Sequence, residues 1–326
     1  MGDFLQDSAQ LAELSTHALT ELAKATDEFT IRHGETLFRQ GMTADALYII
    51  GSGKLEITTR TPGDTTAAVS AIGPGEVVGE FALLDDGLRS ANVTAMADSE
   101  GLRIPRARFL ALLADGKPWT LELIDALRCL VAIRTRVTLE RIAAEARYDV
   151  SSLRVPAHHG ETGTVSDAAG LFAALGRLAE LGTEGAAKLT ARGTCLSITR
   201  GTLFAAADSE TRGLTLVLRG ALRSVLPRRE GREQIMVHGP GEMTGLVGLF
   251  DKSEQCLELE AAEDTVALQL PQMVFEDMRR SPEPYALALF AAVGRQLVRD
   301  QRRANRHLGR AVSLEQFNQH SGRSAA

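Results

Sequence analysis

The chain lacks the residues and patterns that would place it in several protein classes. It has three cysteines in 326 residues, Cys129, Cys195 and Cys256. Their odd number and wide spacing fit neither a disulfide framework nor a metal site, so they are expected to be reduced packing thiols. No apolar run approaches the ~18 residues that a membrane-spanning helix needs. Met1-Gly2-Asp3-Phe4 offers neither the basic head nor the apolar core of a signal peptide. These absences predict a cytoplasmic protein with no membrane partner. A nucleophile paired with a base, a metal-ligand spacing and a Walker-type loop are all missing, so no enzyme and no metal is expected. A formal net charge of −6 argues against broad nucleic-acid binding, though not against a local basic patch.

With 44% apolar and 24% charged residues the composition is that of a globular protein, and the length favours two domains. Leu11, Leu14, Ala18 and Leu22 recur at spacings of three and four and predict an amphipathic helix from about Leu11 to Lys24. Glycines then punctuate short β-prone runs such as Leu47-Tyr48-Ile49-Ile50 and Leu55-Glu56-Ile57-Thr58, the pattern of a sandwich or jelly-roll barrel. Asn92 to Ala95 and Gly101 to Ile104 read as closing strands. Pro105 suits the start of a short helix through Phe109 and Leu112. From Trp119 to about Ala146 there is no Pro or Gly, and Leu123, Leu127, Leu130 and Val137 mark one face of a long helix. Periodicity is then lost between Tyr148 and Ala169, which reads as a linker; His158 and His159 inside it have no third metal ligand nearby.

The stretch Gly79-Glu80-Phe81-Ala82-Leu83-Leu84-Asp85-Asp86-Gly87-Leu88-Arg89-Ser90-Ala91 carries the chemistry. Gly79 lets backbone approach a ligand, and Phe81 to Leu84 are long enough for one helical turn whose free N–H groups attract an anion. Arg89 brings a planar fork of donors matched to phosphate oxygens, and Glu80 brings acceptors for sugar hydroxyls. A surface pair between Glu80 and Arg89 is the plainer alternative. The run resembles the phosphate-binding cassette of cyclic nucleotide-binding domains, with Leu88 where that family often has proline. The resemblance implies that Glu80 holds the ribose 2′-hydroxyl, that Arg89 pairs with the cyclic phosphate and that Ser90 adds a hydroxyl contact. It also brings Gly79, Phe81, Ala82, Val69 and Ser70 into the set of ligand-binding candidates. The helix after the barrel would act as a lid, and a count from Pro118 places Thr135, with Arg134 beside it, where some members contact the base. A solvated helix face is the alternative for both. The ligand implied is a cyclic nucleotide, cAMP first and cGMP second.

The second half repeats the first. Gly73-Pro74-Gly75-Glu76 recurs 166 residues on as Gly239-Pro240-Gly241-Glu242, and Pro105, Phe109 and Pro118 recur as Pro271, Phe275 and Pro284. A leading helix with Leu171, Leu175, Leu178 and Leu181 precedes this second copy. Repetition at a fixed offset predicts two copies of one fold. The ligand residues do not recur: Gly79 becomes Gly245, but Glu80 becomes Leu246, Arg89 becomes Gln255 and Ser90 becomes Cys256. The fold expected is mainly β with flanking helices: two jelly-roll barrels of cyclic nucleotide-binding type, each with an N-terminal helix and a long C-terminal helix. Residues 8–147 form the first domain with an intact cassette, 148–169 the linker, 170–312 a second domain with a degenerate cassette, and 313–326 a flexible tail.

A last helix from about Tyr285 to Ala311 begins apolar and ends with Arg295, Arg299, Arg302, Arg303, Arg306 and Arg310. A solvated helix end whose cations suit the dipole is favoured over a site for an acidic partner or nucleic acid. The function expected is cyclic nucleotide sensing, the ligand moving the long helix to signal to the second domain or to an unidentified protein partner. Two alternatives remain. One is a transcription regulator-like protein acting through the basic helix, although no strong helix-turn-helix pattern is present. The other is a scaffold or dimerisation protein with non-functional pockets. The kinase-regulatory-subunit plan would need a docking segment and an arginine-rich inhibitor sequence, and only about ten residues precede the first helix. The apolar faces of the two long helices are compatible with a homodimer.

Overall fold

The structure is a computed structural model, and it describes residues 3–60, 66–145, 162–164, 169–173, 175–228, 231–279 and 281–323. The chain folds as two compact units, one of residues 1–131 with 308–326 and one of residues 132–307. The pair His158 and His159 lies outside the described residues, as does most of the segment read as a linker.

In the first unit the order is α1 (Asp3–Gln6), α2 (Thr16–Ala25), β1 (Asp27–Ile31), β2 (Thr36–Phe38), β3 (Ala46–Ser52), β4 (Leu55–Arg60), β5 (Thr66–Ile72), β6 (Val77–Val78), α3 (Phe81–Leu84), β7 (Asn92–Ala95), β8 (Ser99–Pro105), α4 (Arg106–Ala114) and α5 (Pro118–Glu145). The strands form two antiparallel sheets, β1-β8-β3-β6 and β2-β7-β4-β5. Alternation along each strand puts one set of apolar residues between the sheets. Ile31, Tyr48, Ile50 and Val78 come from the first sheet and meet Phe38, Leu55, Ile72, Val93 and Ala95 from the second. This is the jelly-roll core.

Leu11, Leu14, Ala18 and Leu22 are all buried, but they do not share one helix. A 3-10 turn ends at Leu11, and Ser15 then caps a new helix by accepting from the Ala18 N–H at 3.1 Å. A serine at this position competes for the backbone and starts a helix more readily than it continues one. The long helix α5 differs from the sequence reading in its far half. Leu123, Leu127 and Leu130 are buried, whereas Val137 is 49% exposed. Beyond Ala132 the helix belongs to the second unit and buries another face, made by Thr135, Thr138, Leu139 and Ile142.

The second unit runs β9 (Thr162–Thr164), α6 (Ala169–Ala173), α7 (Gly182–Arg192), β10 (Thr194–Ile198), β11 (Leu203–Ala205), β12 (Gly213–Arg219), β13 (Leu222–Arg228), β14 (Gly231–His238), β15 (Met243–Thr244), α8 (Leu246–Asp251), β16 (Glu258–Ala261), β17 (Thr265–Pro271), α9 (Gln272–Arg279) and α10 (Pro284–Arg323). Its sheets, β9-β10-β17-β12-β15 and β11-β16-β13-β14, reproduce the strand order of the first unit with β9 added at one edge. Thus Thr162–Thr164, within the segment read as linker, pair with β10. Leu175, Leu178 and Leu181 are buried as a leading apolar face, but α6, a 3-10 turn at Gly176–Leu181 and α7 divide it. Helix α10 extends to Arg323, past the point where a frayed tail was expected.

Hairpin glycines show that the two copies share backbone and not only pattern. Gly53 and Gly220 both adopt positive φ, 91° and 78°. A Cβ on either would strike the opposing carbonyl, Asp98 O or Asp264 O, so no other residue fits without moving the strand.

Candidate functional site

The cassette of the first unit follows β6. Gly79 has φ 83°, and a Cβ there would overlap Nη1 of Arg89 and crowd Ala46 O at 3.0 Å. Its missing side chain is what allows the arginine to pass. The turn closes on itself: Ala82 N–H donates to Gly79 O at 2.9 Å, Leu83 N–H to Glu80 O at 3.1 Å and Asp85 N–H to Phe81 O at 2.9 Å. The amides of Ala82 and Leu83 are therefore used inside the turn, and Arg89 supplies the charged donors of this loop. All four residues of α3 are buried.

Arg89 is fixed twice. Its backbone pairs with the loop before β3, Arg89 N–H donating to Met42 O at 2.8 Å and its carbonyl accepting from Gly41 N–H at 2.9 Å. Its side chain is 2% exposed, and Nη2 donates to Asp45 Oδ1 and to Ala46 O, both at 2.8 Å. The guanidinium lies over Phe38, 4.0 Å from the ring centroid, and 5.8 Å from that of Tyr48. Cation–π contact holds the fork flat against the barrel wall. Burial and the nearby Asp45 carboxylate push the Tyr48 phenol up, and Arg89 opposes them. Nε of Arg89 is buried with no hydrogen-bond partner among the described residues. A buried charged donor left unmatched costs about 1–3 kcal/mol or more, so this geometry favours an anion at that edge of the fork.

Glu80 is 6% exposed and does not cap α3 with its side chain. Ser90 is half-buried next to Arg89. Val69 and Ser70 lie on β5 of the same unit, half-buried and exposed respectively. The structure thus gathers Gly79, Glu80, Phe81, Ala82, Arg89 and Ser90 in one loop. Arg134 and Thr135 fall in the second unit, where the Thr135 hydroxyl is fully buried and donates to Gln301 Oε1 at 2.6 Å. Sequence reasoning missed Asp45, Phe38 and Tyr48 around Arg89, and Arg106 of α4. Arg106 Nε donates to Ala82 O at 2.7 Å, and Nη2 pairs with Asp86. Asp45 and Arg106 were discoverable from the repeat: an offset of 167, the one that relates Gly53 to Gly220, turns Asp45 into Arg212, and 166 turns Arg106 into Gln272.

In the second unit the same loop is built around other side chains. Gln255 N–H donates to Ser209 O at 2.9 Å and Gln255 O accepts from Asp208 N–H at 2.8 Å, the two backbone bonds that Arg89 makes. Gly245 again has positive φ, 84°. Leu246 is buried where the first copy has Glu80. Burial pushes the Cys256 thiol up to about 11. Arg136 of α5 pairs with Asp251 in this loop and donates to Glu254 O at 2.7 Å.

Of the terminal arginines, Arg306 and Arg310 are exposed as a solvated face would be, but three others are not free cations: Arg299 and Arg303 reach the buried carboxylate of Glu242, which Arg177 also reaches, and Arg295 pairs with Glu180. Glu242 is held below the usual carboxylate range by Arg303 despite its burial. A carboxylate sealed under the helix draws the cations inward, an outcome that one-dimensional charge counting does not register. Ser224 and His238 hydrogen-bond at 2.8 Å inside the second barrel, both sealed from solvent. Of the cysteines, Cys195 is buried and none is in a disulfide. Among the described residues no cluster of three or more His, Cys, Asp or Glu could hold a metal, and no helix is long and apolar enough to cross a membrane.

The cyclic nucleotide-binding domain model matches this sequence twice, at residues 28–115 and 195–281, which is more than half of the chain. The protein belongs to the cyclic nucleotide-binding domain family, as a tandem of two such domains. Among its relatives, the cAMP-dependent protein kinase regulatory subunit of Dictyostelium discoideum is 36% identical over 110 residues, 33% of this chain and 34% of that one. The Cyclic AMP receptor protein of Thermus thermophilus is 40% identical over 80 residues, 24% of this chain and 37% of that one. The chain therefore spans about a third of the length of these two relatives. The regulatory domain of Toxoplasma gondii PKA, solved with cAMP, aligns over 85% of this chain and 89% of its own at 17% identity, with a TM-score of 0.32.

Proposed function

We propose that the protein is a cyclic nucleotide sensor whose working pocket lies in the first unit. The observation that carries this reading is Arg89. It is a guanidinium 2% exposed, backed by Phe38 and Asp45, with a buried Nε that no described residue satisfies. A cyclic phosphate would complete that fork, Glu80 would accept from the ribose hydroxyl, and Ser90 would add a donor. The proposed ligand is cAMP first and cGMP second; similarity to a cAMP-dependent protein kinase regulatory subunit and to a Cyclic AMP receptor protein supports the first. Residues 8–147 form the sensing domain in this reading, and 170–312 a second domain whose cassette has lost the phosphate and ribose partners.

Helix α5 is the element suited to carry the signal, because it begins in the first unit and ends in the second, where Arg136 grips the cassette-like loop. Arg134 and Thr135 are the residues of α5 proposed to meet the base, and for Thr135 this requires closing to free its hydroxyl from Gln301 Oε1. Turning α5 from mostly open to mostly closed requires about 5 kcal/mol of ligand preference for the closed form. The receiver is the second domain or a protein partner, and the setting is cytoplasmic. Calorimetric titration with cAMP and with cGMP tests the reading: saturable heat with at least one, lost in Arg89→Ala, is expected, and no heat with either refutes it.

A further inference from the structure

The two copies offer an internal control for what the nucleotide site needs beyond its direct contacts. A contact that both copies keep builds the fold; a contact to the cassette that only the first copy makes is a candidate to serve Glu80 and Arg89. Arg106 separates along this line atom by atom. Its backbone N–H donates to Asp45 O at 2.7 Å, and Gln272 N–H donates to Arg212 O at 3.1 Å in the second copy, so this bond belongs to the barrel. Its side chain does something the second copy cannot repeat. Nε donates to Ala82 O at 2.7 Å in α3, and Nη2 pairs with Asp86 in the loop that leads to Arg89. At the equivalent positions stand Gln272, Gly248 and Lys252: Gln272 is exposed, and Lys252 offers no carboxylate.

We propose that Arg106 is a positioning residue for the nucleotide site: one guanidinium ties both ends of the cassette, the α3 turn and the Asp86 loop, to the start of α4. It also joins the site to itself through the backbone, since the Asp45 held by its N–H is the residue whose carboxylate holds Arg89. Preorganising Glu80 and Arg89 in this way lowers the ordering cost of binding and lengthens the lifetime of the complex. Asp86 is 81% exposed, so its ion pair contributes little, and the bond to Ala82 O carries most of the effect.

This inference rests on the reading of the first unit as a nucleotide site, and the two fail differently. The experiment measures dissociation of a fluorescent cAMP analogue from the full chain by stopped flow, with thermal unfolding alongside. Three variants are compared: Arg106→Gln, which installs the second copy's own residue; Arg106→Lys; and Arg108→Gln. Arg108 lies on the same helix but holds β1, donating to Ala25 O at 3.0 Å and pairing with Asp27, so it reports the effect of loosening α4 alone. Arg106→Gln is expected to raise the dissociation rate about five-fold or more with a much smaller change in association. Arg106→Lys, which keeps a cationic donor, is expected to fall between it and the wild type, and Arg108→Gln to leave the rate unchanged. If the wild type binds and Arg106→Gln and Arg106→Lys both dissociate at its rate, or if Arg108→Gln speeds dissociation as much as Arg106→Gln, the proposal is overturned. Failure of the wild type to bind would instead remove the sensor reading itself.

Discussion

Two loops in this molecule share a framework and carry opposite chemistry. After β6 and after β15 the chain makes a positive-φ glycine, a short helix of four residues in α3 and six in α8, and the same pair of backbone bonds at Arg89 and Gln255. The first loop surrounds a buried arginine that is left short of one acceptor. The second has a glutamine there and takes its cation from outside the barrel, Arg136 on Asp251. Glycine positions and turn geometry therefore specify the loop, while its charges are free to change with its use. One loop is arranged for an anion, and the other is already engaged by a helix of its own chain.

The contrast would be broken most directly at Arg89. Replacing it with glutamine, the residue of the second copy, removes two charge-assisted bonds to phosphate and should weaken nucleotide binding by about 3–4 kcal/mol, two to three decades in Kd. Calorimetry checks this, and an affinity within ten-fold of wild type would mean that the phosphate is held elsewhere.

The second barrel has its own sensitive group. Burial lowers the His238 imidazole to about 4 from an ordinary 6.5, with Arg303 adding to the shift. The unfolded chain takes up the proton first, so the stabilisation that neutral His238 provides is complete above pH 6.5 and is lost as pH falls toward 4. The loss amounts to about 3 kcal/mol at pH 4. Asp300 titrates in the opposite sense, because burial raises its carboxyl to about 7. Comparing wild type with His238→Asn at each pH cancels that contribution. Unfolding of the second unit is expected to steepen between pH 6.5 and 4 in the wild type relative to the variant, and parallel pH profiles would count against a neutral, sealed His238.

A smaller effect should follow from Arg136→Ala. Asp251 has a side chain 6% exposed, and removing Arg136 leaves a nearly buried carboxylate with only the N–H and hydroxyl of Ser253 as donors, at a cost of about 2 kcal/mol. Urea unfolding followed by hydrogen exchange in the second unit measures it, and unchanged protection of residues 246–251 would show that the loop stands without α5.

The smallest change is expected at Asp45, whose carboxylate is 68% exposed and shares Nη2 of Arg89 with Ala46 O. Asp45→Asn removes the charge but keeps an acceptor for Nη2, and Phe38 and Ala46 still place the guanidinium. Nucleotide binding should weaken by no more than about three-fold, as befits a screened surface charge. A weakening of ten-fold would make Asp45 part of the binding apparatus.

Most of the barrel was legible in the sequence because its causes are local. Glycine spacing marked the hairpins, β-prone runs marked β3 and β4, and the repeat offset doubled every inference. The Glu80 and Arg89 pair was legible for the same reason, as a contiguous run. What escaped depended on tertiary partners. Asp45 lies 44 residues from Arg89 and Arg106 lies 20 from Asp86, and only folding brings each pair together. Val137 fits the apolar periodicity of α5, but the burying surface changes at Ala132. Arg299 and Arg303 looked solvated because the carboxylate that gathers them, Glu242, is far upstream on another element.

The central claim is that one of the two cassettes binds nucleotide, and counting ligands per chain tests it most directly. Equilibrium dialysis against radiolabelled cAMP, repeated with cGMP if cAMP does not bind, should give one nucleotide per chain in the wild type, one in Gln255→Ala and none at the same concentrations in Arg89→Gln. Two nucleotides per chain, or binding that survives in Arg89→Gln and disappears in Gln255→Ala, would contradict the account.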